Sequence, residues 1–190
     1  MTAAPVSRRA RPAKAPLSRD LVIETGLRVL DTHGAAALTM RRVAQELDTG
    51  AASLYVYVAN RDDLMKAMLD HVLSQVVVPV DGAWRARLTA LVESAIEVLG
   101  RHEGLALVAF GRTPTTEHAR VLVDRVRELL LEGGLDPDTA GWAIDLIYLH
   151  ITAEAAGTRE GRHSDADIER SRWTLRALLD GILDTPAVAR

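Results

Sequence analysis

Residues 39–61 have the spacing of two short helices joined by a tight turn, with basic side chains directed outward. Thr39 is suited to cap the first helix, because its hydroxyl can accept a hydrogen bond from a backbone N–H two or three residues further on. The side chains of this helix divide at helical spacing into an inward and an outward set: Val43, Ala44 and Leu47 inward, Arg41, Arg42 and Gln45 outward. This arrangement is that of a helix-turn-helix, and it predicts sequence-specific duplex DNA as the partner.

The turn and the second helix support this interpretation. Residues 48–50 (Asp-Thr-Gly) tolerate turn backbone and end the first helix. Leu54 and Val58 are placed to pack back on that helix, and the small side chains that open the second helix would let it approach the floor of a major groove: Ala51, Ala52 and Ser53. Periodicity alone would equally fit an amphipathic helical hairpin with no role in DNA binding. The order of cap, apolar positions, polar turn and following Asn60-Arg61 favours the DNA-binding alternative.

The whole chain is predicted to be all-α, with an N-terminal three-helix helix-turn-helix head and a helical-bundle body. Its 190 residues are 48% hydrophobic but only 4% aromatic, and the apolar positions recur at helical spacing. We expect a disordered basic arm over 1–17, the DNA-binding head over 18–63, and an effector-binding and dimerisation body over 64–190. Ser18 should cap the first helix and Gly34 should follow it.

Several boundaries within the body can be predicted from breakers and caps. Asn60 should cap a linking helix that runs toward Val78 and is stopped by Pro79. Breaks at 103–104 and 112–114 should bracket a short helix that contains Phe110. Asp136 and Pro137 should open the penultimate helix, and the last helix should begin near Asp165.

Composition excludes sites built on cysteine, and the motifs give no support to an enzyme. The chain has no cysteine, so disulfides and thiolate metal sites are impossible, which fits a reducing cytoplasm. No apolar run is long enough to cross a bilayer, and a signal-peptide core is missing, so we expect a soluble cytoplasmic protein with no membrane partner. No catalytic motif is found, and no enzyme activity, cofactor or metal is predicted. His150 and Glu154 could form a metal pair, but without a third ligand a solvated or hydrogen-bonded pair is favoured.

Charge is divided unevenly along the chain. Residues 1–70 carry ten Lys and Arg against eight Asp and Glu, whereas the remainder carries thirteen against eighteen. Five basic residues precede the first acidic one, Asp20: Arg8, Arg9, Arg11, Lys14 and Arg19. Such an arm could lie along DNA phosphates or enter the minor groove, or it could be a solvated leader that aids solubility. The sequence leaves both alternatives open.

The motif residues taken together resemble the TetR (tetracycline-repressor) family of transcriptional regulators. The match is strongest from Leu17 to Leu73 and depends on Leu38-Thr39, Arg41, Ala44, Leu47, Leu54-Tyr55 and Asn60-Arg61. The resemblance implies phosphate contacts from Thr39, Tyr55 and Arg61, and base-edge contacts from Met40, Arg41, Ala51, Ala52 and Tyr57. Asp48 stands where the family's turn commonly has glycine, and aspartate still tolerates the left-handed backbone region.

The body resembles the tetracycline repressor's own branch at residues 101–104, 111–114 and 134–137. In that branch a histidine of the short helix helps to bind the drug's magnesium, and the matching position here falls near Val108, which argues against tetracycline as effector. The resemblance implies a small-molecule pocket between short and long helices, with these candidate ligand-binding residues: Leu107, Phe110, Trp142, Asp145, Tyr148 and His150.

The sequence thus predicts a homodimeric repressor that binds palindromic operator DNA and is released by a small-molecule effector. The penultimate helix has a small-residue surface that permits close helix approach: Ala153, Ala155, Ala156 and Gly157. We expect this helix and the last one to pack against a second subunit, since a two-fold dimer doubles the number of base pairs read. Two alternatives remain: a helical small-molecule carrier or enzyme whose head contacts proteins, and an activator that uses the same DNA-binding head.

Overall fold

The computed structural model describes residues 16–109, 115–157 and 164–185, which are helical with connecting turns. The helices are α1 (Arg19–His33), α2 (Met40–Glu46), α3 (Ala51–Leu54), α4 (Arg61–Leu73), α5 (Trp84–Gly100), α6 (Glu103–Ala109), α7 (Glu117–Glu132), α8 (Pro137–Ala156) and α9 (Asp165–Asp184). The all-α prediction is confirmed, with α1–α3 forming the head and α5–α9 the body.

The helix starts occur at the predicted capping residues. The Ser18 side chain accepts a hydrogen bond from the backbone N–H of Leu21, Thr39 from that of Arg42, and Asn60 from that of Asp63. These bonds satisfy backbone donors that would otherwise have no partner in the first helical turn. Asp136 caps α8 in the same way, with Pro137 at its first helical position.

Both turns of the head contain a residue with positive φ. Gly34 follows α1 with φ at 77°, and Asp48 in the helix-turn-helix has φ at 49°. The left-handed region is unfavourable for most side chains but open to glycine and tolerable for aspartate. The expectation that the turn forms with aspartate in place of glycine is therefore confirmed.

The linking helix α4 is shorter than predicted. It ends at Leu73 rather than near Val78, and residues 76–80 are not helical. Three consecutive valines, which are restricted in a helix by their branched Cβ, follow the end of the helix. The backbone N–H of Val77 donates instead to the Ser94 hydroxyl on α5 at 2.9 Å.

The break before α6 is also displaced from its prediction. Gly104 lies inside the helix, and the interruption falls at Arg101 and His102. A side chain at position 104 would come within 2.9 Å of Leu30 on α1, so glycine permits a close approach of α6 to the head. Phe110, which we placed in this short helix, lies outside the described residues.

Two apolar clusters form the interior. The first joins the head to α4, α6 and parts of α5 and α8, with Leu54, Leu64 and Met68 fully buried. The second lies between α5, α7, α8 and α9, where Leu88, Leu130 and Leu175 are buried. Helix α4 packs against α1 at one end and against α5 and α7 further along. It therefore connects the head to the body, as does the contact between α1 and α6.

Candidate DNA-binding surface and body cavity

Exposed residues lie on the outer side of α2, α3 and the turn that follows α3. Leu54 and Val58 are buried, as their spacing predicts, and this leaves the opposite side of the helix-turn-helix exposed. The predicted DNA-binding residues on the exposed side are Thr39, Arg41, Ala52, Ser53 and Tyr55, and Tyr55 is 54% exposed. Met40, Ala51 and Tyr57 are partly buried and pack against the core of the head.

Val56 is exposed on the same side but is not among the residues that the sequence predicts to bind DNA. It is 80% exposed, between Tyr55 and Tyr57. Since Leu54 and Val58 point inward, their four-residue separation already places position 56 on the outer side. An exposed valine beside a tyrosine can make apolar contact with a thymine methyl group in a major groove.

Arg61 is bound within the head. Its Nε donates to the carbonyl of Leu38 at 2.7 Å, and its Nη2 donates to the carbonyl of Ala35 at 2.9 Å. The first residue of α4 is thereby fixed to the loop between α1 and α2. Arg42 is similarly engaged, with Nη2 2.7 Å from Glu46 and 3.2 Å from the His33 ring.

These contacts predict that Arg61 positions the head more than it binds phosphate. In Arg61→Ala the carbonyls of Leu38 and Ala35 lose their donors, which should lower the free energy of unfolding by about 1–3 kcal/mol. We expect weaker DNA binding with the same dependence on salt. A lost phosphate contact would instead make the negative slope of log K against log salt less steep by about 0.9. Thermal unfolding and binding across salt concentrations separate the two roles. Arg61→Lys is the control, because lysine retains the positive charge but lacks the planar guanidinium that donates to both carbonyls.

Two histidine–aspartate contacts hold the body to α1 and to α4. His102, just before α6, has Nδ1 2.9 Å from a carboxylate oxygen of Asp31 on α1. Asp70 on α4 accepts from the backbone N–H of His118 at 2.8 Å and lies 2.9 Å from its Nδ1. Asp70 thus satisfies a donor in the first turn of α7. Partial burial disfavours the charged form of Asp70. The hydrogen bonds from His118 and the charge of its ring outweigh this effect and lower the pKa of Asp70.

An apolar cavity of about 70 Å³ lies in the body beside the end of α4. Its walls come from α4, α5, α7 and α8, and the Tyr148 hydroxyl is the polar side-chain group among them. The lining residues are Leu73, Leu91, Ala95, Leu99, Ala119, Leu122, Val123, Val126, Ile144, Ile147, Tyr148 and Ile151. The Tyr148 hydroxyl donates to the carbonyl of Ala109.

Of the six residues predicted to bind effector, Tyr148 lines this cavity. Leu107 is 58% exposed on α6, Trp142 is 53% exposed on α8, and Asp145 is exposed on α8, so the structure does not bring them to it. His150 is buried between α8 and α9, and Phe110 lies outside the described residues. Periodicity marked the cavity residues as core, and it carries no information on where packing between helices is incomplete.

His150 is part of the packing between α8 and α9. Its Nε2 lies 3.2 Å from the Ser171 hydroxyl, whereas Glu154 pairs with Arg170 at 3.4 Å. The two residues considered as a metal pair therefore have different partners. Within the described ranges, no cluster of three or more metal-ligating side chains is found.

The burial of His150 predicts a loss of stability in mild acid. Burial lowers the pKa of His150 and outweighs the opposing effect of Glu154, so the folded protein holds this ring neutral. As pH falls below about 6.5, the unfolded chain binds a proton that the folded chain resists, and stability decreases. The melting temperature should therefore fall less between pH 7.5 and 5.5 in His150→Gln than in wild type. Equal decreases in the two proteins would contradict this.

Comparison with known proteins agrees with both the head and the body. Residues 22–68 match the family described as bacterial regulatory proteins, tetR family, and residues 78–189 match the tetracyclin repressor-like, C-terminal domain. The chain therefore belongs to the TetR family of DNA-binding transcriptional regulators, and the predicted resemblance is confirmed.

Individual relatives include a repressor, an uncharacterized regulator and a TetR family protein solved with a ligand. The chain is 36% identical to the HTH-type transcriptional repressor DrrR1 of Streptomyces coeruleorubidus over 76% of its own length, and this match spans 56% of the length of DrrR1. It is 32% identical to the uncharacterized HTH-type regulator Rv0681 of Mycobacterium tuberculosis, over 83% of this chain and 78% of that protein. The TetR family protein ActR of Streptomyces coelicolor, solved with actinorhodin, superposes with a TM-score of 0.78 at 32% identity, over 89% of this chain and 96% of that one.

None of the helices in the described part of the chain combines the length and apolar character that crossing a membrane requires.

Proposed function

We propose that the chain is a homodimeric repressor that binds a palindromic operator and is released when an uncharged, largely apolar molecule enters the body cavity. It would act in the cytoplasm, where bacterial DNA is accessible, and would bind its effector without converting it. The proposal rests on the position of the cavity at the end of α4. Leu73, the last residue of α4, lines the cavity. Arg61, the first residue of α4, is hydrogen-bonded to the head.

This connection supplies a physical route from effector to DNA. The cavity is smaller than the roughly 300 Å³ or more that encloses a drug-sized ligand, so an effector must push its walls apart. Packed interiors respond to added volume by shifting whole elements. Displacement of Leu73 would move α4, and Arg61 would carry the loop between α1 and α2 with it. In a dimer, such a movement would change the distance between the two recognition helices.

The lining determines the class of effector. Apart from the Tyr148 hydroxyl, its side chains end in carbon, and burying an unpaired charge there would cost several kcal/mol. A neutral, mainly apolar molecule fits this environment, and a magnesium chelate does not. The complex of ActR with actinorhodin supports small-molecule control in a relative, without identifying the effector here.

The second subunit would pack on α8 and α9. Trp142, Leu146 and Leu149 form a stripe along α8 at four- and three-residue spacing and are 43–53% exposed, and Trp173 on α9 is 67% exposed. Contiguous exposed apolar side chains of this size favour burial against a partner. A two-fold interface between these helices would place two heads on one side of the molecule, as a palindromic operator requires.

The effector site can be tested by filling it. In Ala95→Leu, on α5, an alanine that lines the cavity is enlarged, and Ala90→Leu is the matched control because Ala90 is exposed on the same helix. The probe is N-phenyl-1-naphthylamine, a neutral apolar dye that fluoresces in apolar surroundings. We expect wild type and Ala90→Leu to bind it and to lose operator DNA as it binds, and Ala95→Leu to bind it at least roughly tenfold more weakly. Equal dye binding by all three proteins, or binding without any release of DNA, would contradict the proposal.

A further inference from the structure

A solvent-exposed groove of about 460 Å³ lies between α5 and α9. It is separate from the apolar cavity, to which α5 contributes Leu91, Ala95 and Leu99. The groove lies on the side of α9 that faces α5, whereas the stripe proposed as the dimer interface runs along α8. Its volume falls within the range of small-molecule sites, roughly 300–1,000 Å³.

Two ion pairs bridge the groove from helix to helix. Arg85 on α5 pairs with Asp180 on α9, and Glu93 on α5 accepts hydrogen bonds from Nε and Nη2 of Arg172 on α9. The two paired positions are eight residues apart in each helix, so α5 and α9 run antiparallel and the bridges lie about 12 Å from each other. A space closed at both ends accommodates a small molecule, whereas a long partner segment would have to break a bridge.

Arg176 lies midway between the two bridges. It is four residues from both Arg172 and Asp180, and residues at this spacing share one face of a helix. It is exposed and makes no hydrogen bond or ion pair with any residue that the structure describes. Because Asp180 and Glu93 already neutralise Arg85 and Arg172, the Arg176 guanidinium is the uncompensated charge of the lining. A planar guanidinium can donate two parallel hydrogen bonds to a carboxylate or a similar oxyanion.

The rest of the lining consists mainly of small or apolar side chains. Ala86 and Ala90 lie one turn apart on α5 and are exposed, and the buried Leu179 contributes from α9. The Thr89 hydroxyl, also in the lining, donates to the carbonyl of Arg85 and so is not a free donor. Short side chains at positions 86 and 90 leave space that longer ones would fill. An apolar floor beside one unpaired cation is complementary to a molecule with an apolar body and one negative charge.

We propose that this groove binds a small amphipathic anion, with one carboxylate or chemically similar oxyanion on Arg176 and the apolar body on Ala86, Ala90 and Leu179. The groove is thus a second ligand site, and its charge preference is opposite to that of the apolar cavity. The cavity favours an uncharged molecule, whereas the groove requires a negative charge. This inference does not depend on the proposed operator binding.

The test uses two dyes that differ by one charge. The anionic dye is 8-anilino-1-naphthalenesulfonate, which is N-phenyl-1-naphthylamine with one sulfonate added and also fluoresces in apolar surroundings. We expect Arg176→Gln to bind the anionic dye at least roughly fivefold more weakly than wild type does, with no change toward the neutral dye. Arg127→Gln is the matched control, because it makes the same change in net charge at an exposed arginine on α7.

Ala90→Leu and Ala95→Leu separate the groove from the cavity. Leucine at position 90 fills the groove and should weaken binding of the anionic dye by roughly tenfold, whereas leucine at position 95 should leave that binding unchanged. In wild type, 2-naphthoate should displace the anionic dye, and its uncharged counterpart 2-naphthamide should not. Circular dichroism and the melting temperature establish that each variant is folded.

Three results would overturn the inference. The first is equal binding of the anionic dye by wild type, Arg176→Gln and Ala90→Leu. The second is a loss confined to Ala95→Leu, which would place the dye in the apolar cavity. The third is equal displacement by 2-naphthoate and 2-naphthamide. Because the experiment contains no operator DNA, its outcome is independent of whether the proposed function is correct.

Discussion

Leu149→Glu is expected to convert the protein to a monomer and to weaken operator binding by roughly 1,000-fold, or about 4 kcal/mol. Leu149 lies on the exposed α8 stripe with Trp142 and Leu146. Because a two-fold interface contains each residue twice, the substitution would place two carboxylates in one apolar surface without partners. A monomer retains contacts to only one half-site. Light scattering coupled to size exclusion measures the mass, and titration of operator DNA measures the affinity.

Val121→Glu is the matched control for this prediction. Val121 is 52% exposed on α7, outside the α8 and α9 stripe, so the same chemical change there should leave mass and affinity unchanged. A Leu149→Glu protein that remains dimeric would place the interface elsewhere. If both variants became monomeric, the loss of the dimer would reflect general destabilisation of the protein rather than a change in this interface.

Arg41→Ala is expected to change which bases are preferred. Arg41 is exposed on α2 and free of internal partners in the described part of the chain, and a guanidinium can donate two hydrogen bonds to guanine. Loss of one such contact should reduce discrimination at that base pair by about 1–3 kcal/mol, or roughly 5- to 150-fold. The measurement is binding to operator variants substituted one base pair at a time.

Arg42→Ala provides the comparison for Arg41. Its guanidinium is held by Glu46 and His33, so we expect its removal to leave base preference unaltered. The same profile of base preference in wild type and Arg41→Ala would show that Arg41 does not read bases. A shift in Arg42→Ala instead would mean that Arg42 changes partners on binding DNA.

The sequence was informative about the head because its signals are local. Caps at Ser18, Thr39 and Asn60 and the turn at Asp48 each depend on hydrogen bonds or backbone preferences within a few residues. The end of α4 was predicted less well. Its position depends partly on a hydrogen bond from Val77 to a distant partner, the Ser94 hydroxyl, which no local pattern records.

Functional side chains were harder to predict because long-range contacts decide their roles. An arginine at the start of α4 looks available to phosphate in the sequence, and the structure shows that carbonyls 23 and 26 residues away in the chain bind it. Tyr57 is bonded to a carbonyl 40 residues away in the same manner. The cavity forms where four helices meet. Helices that leave no space between them would show the same apolar pattern in their sequence.

Selection of bound sequences from a random duplex library would show whether two copies of this chain read a palindromic operator. We expect a winning sequence with two inverted half-sites whose centres lie about one helical turn or a multiple of it apart, bound at physiological salt at least about 1,000-fold more tightly than random DNA. Binding that selects no sequence and disappears at that salt concentration would contradict it.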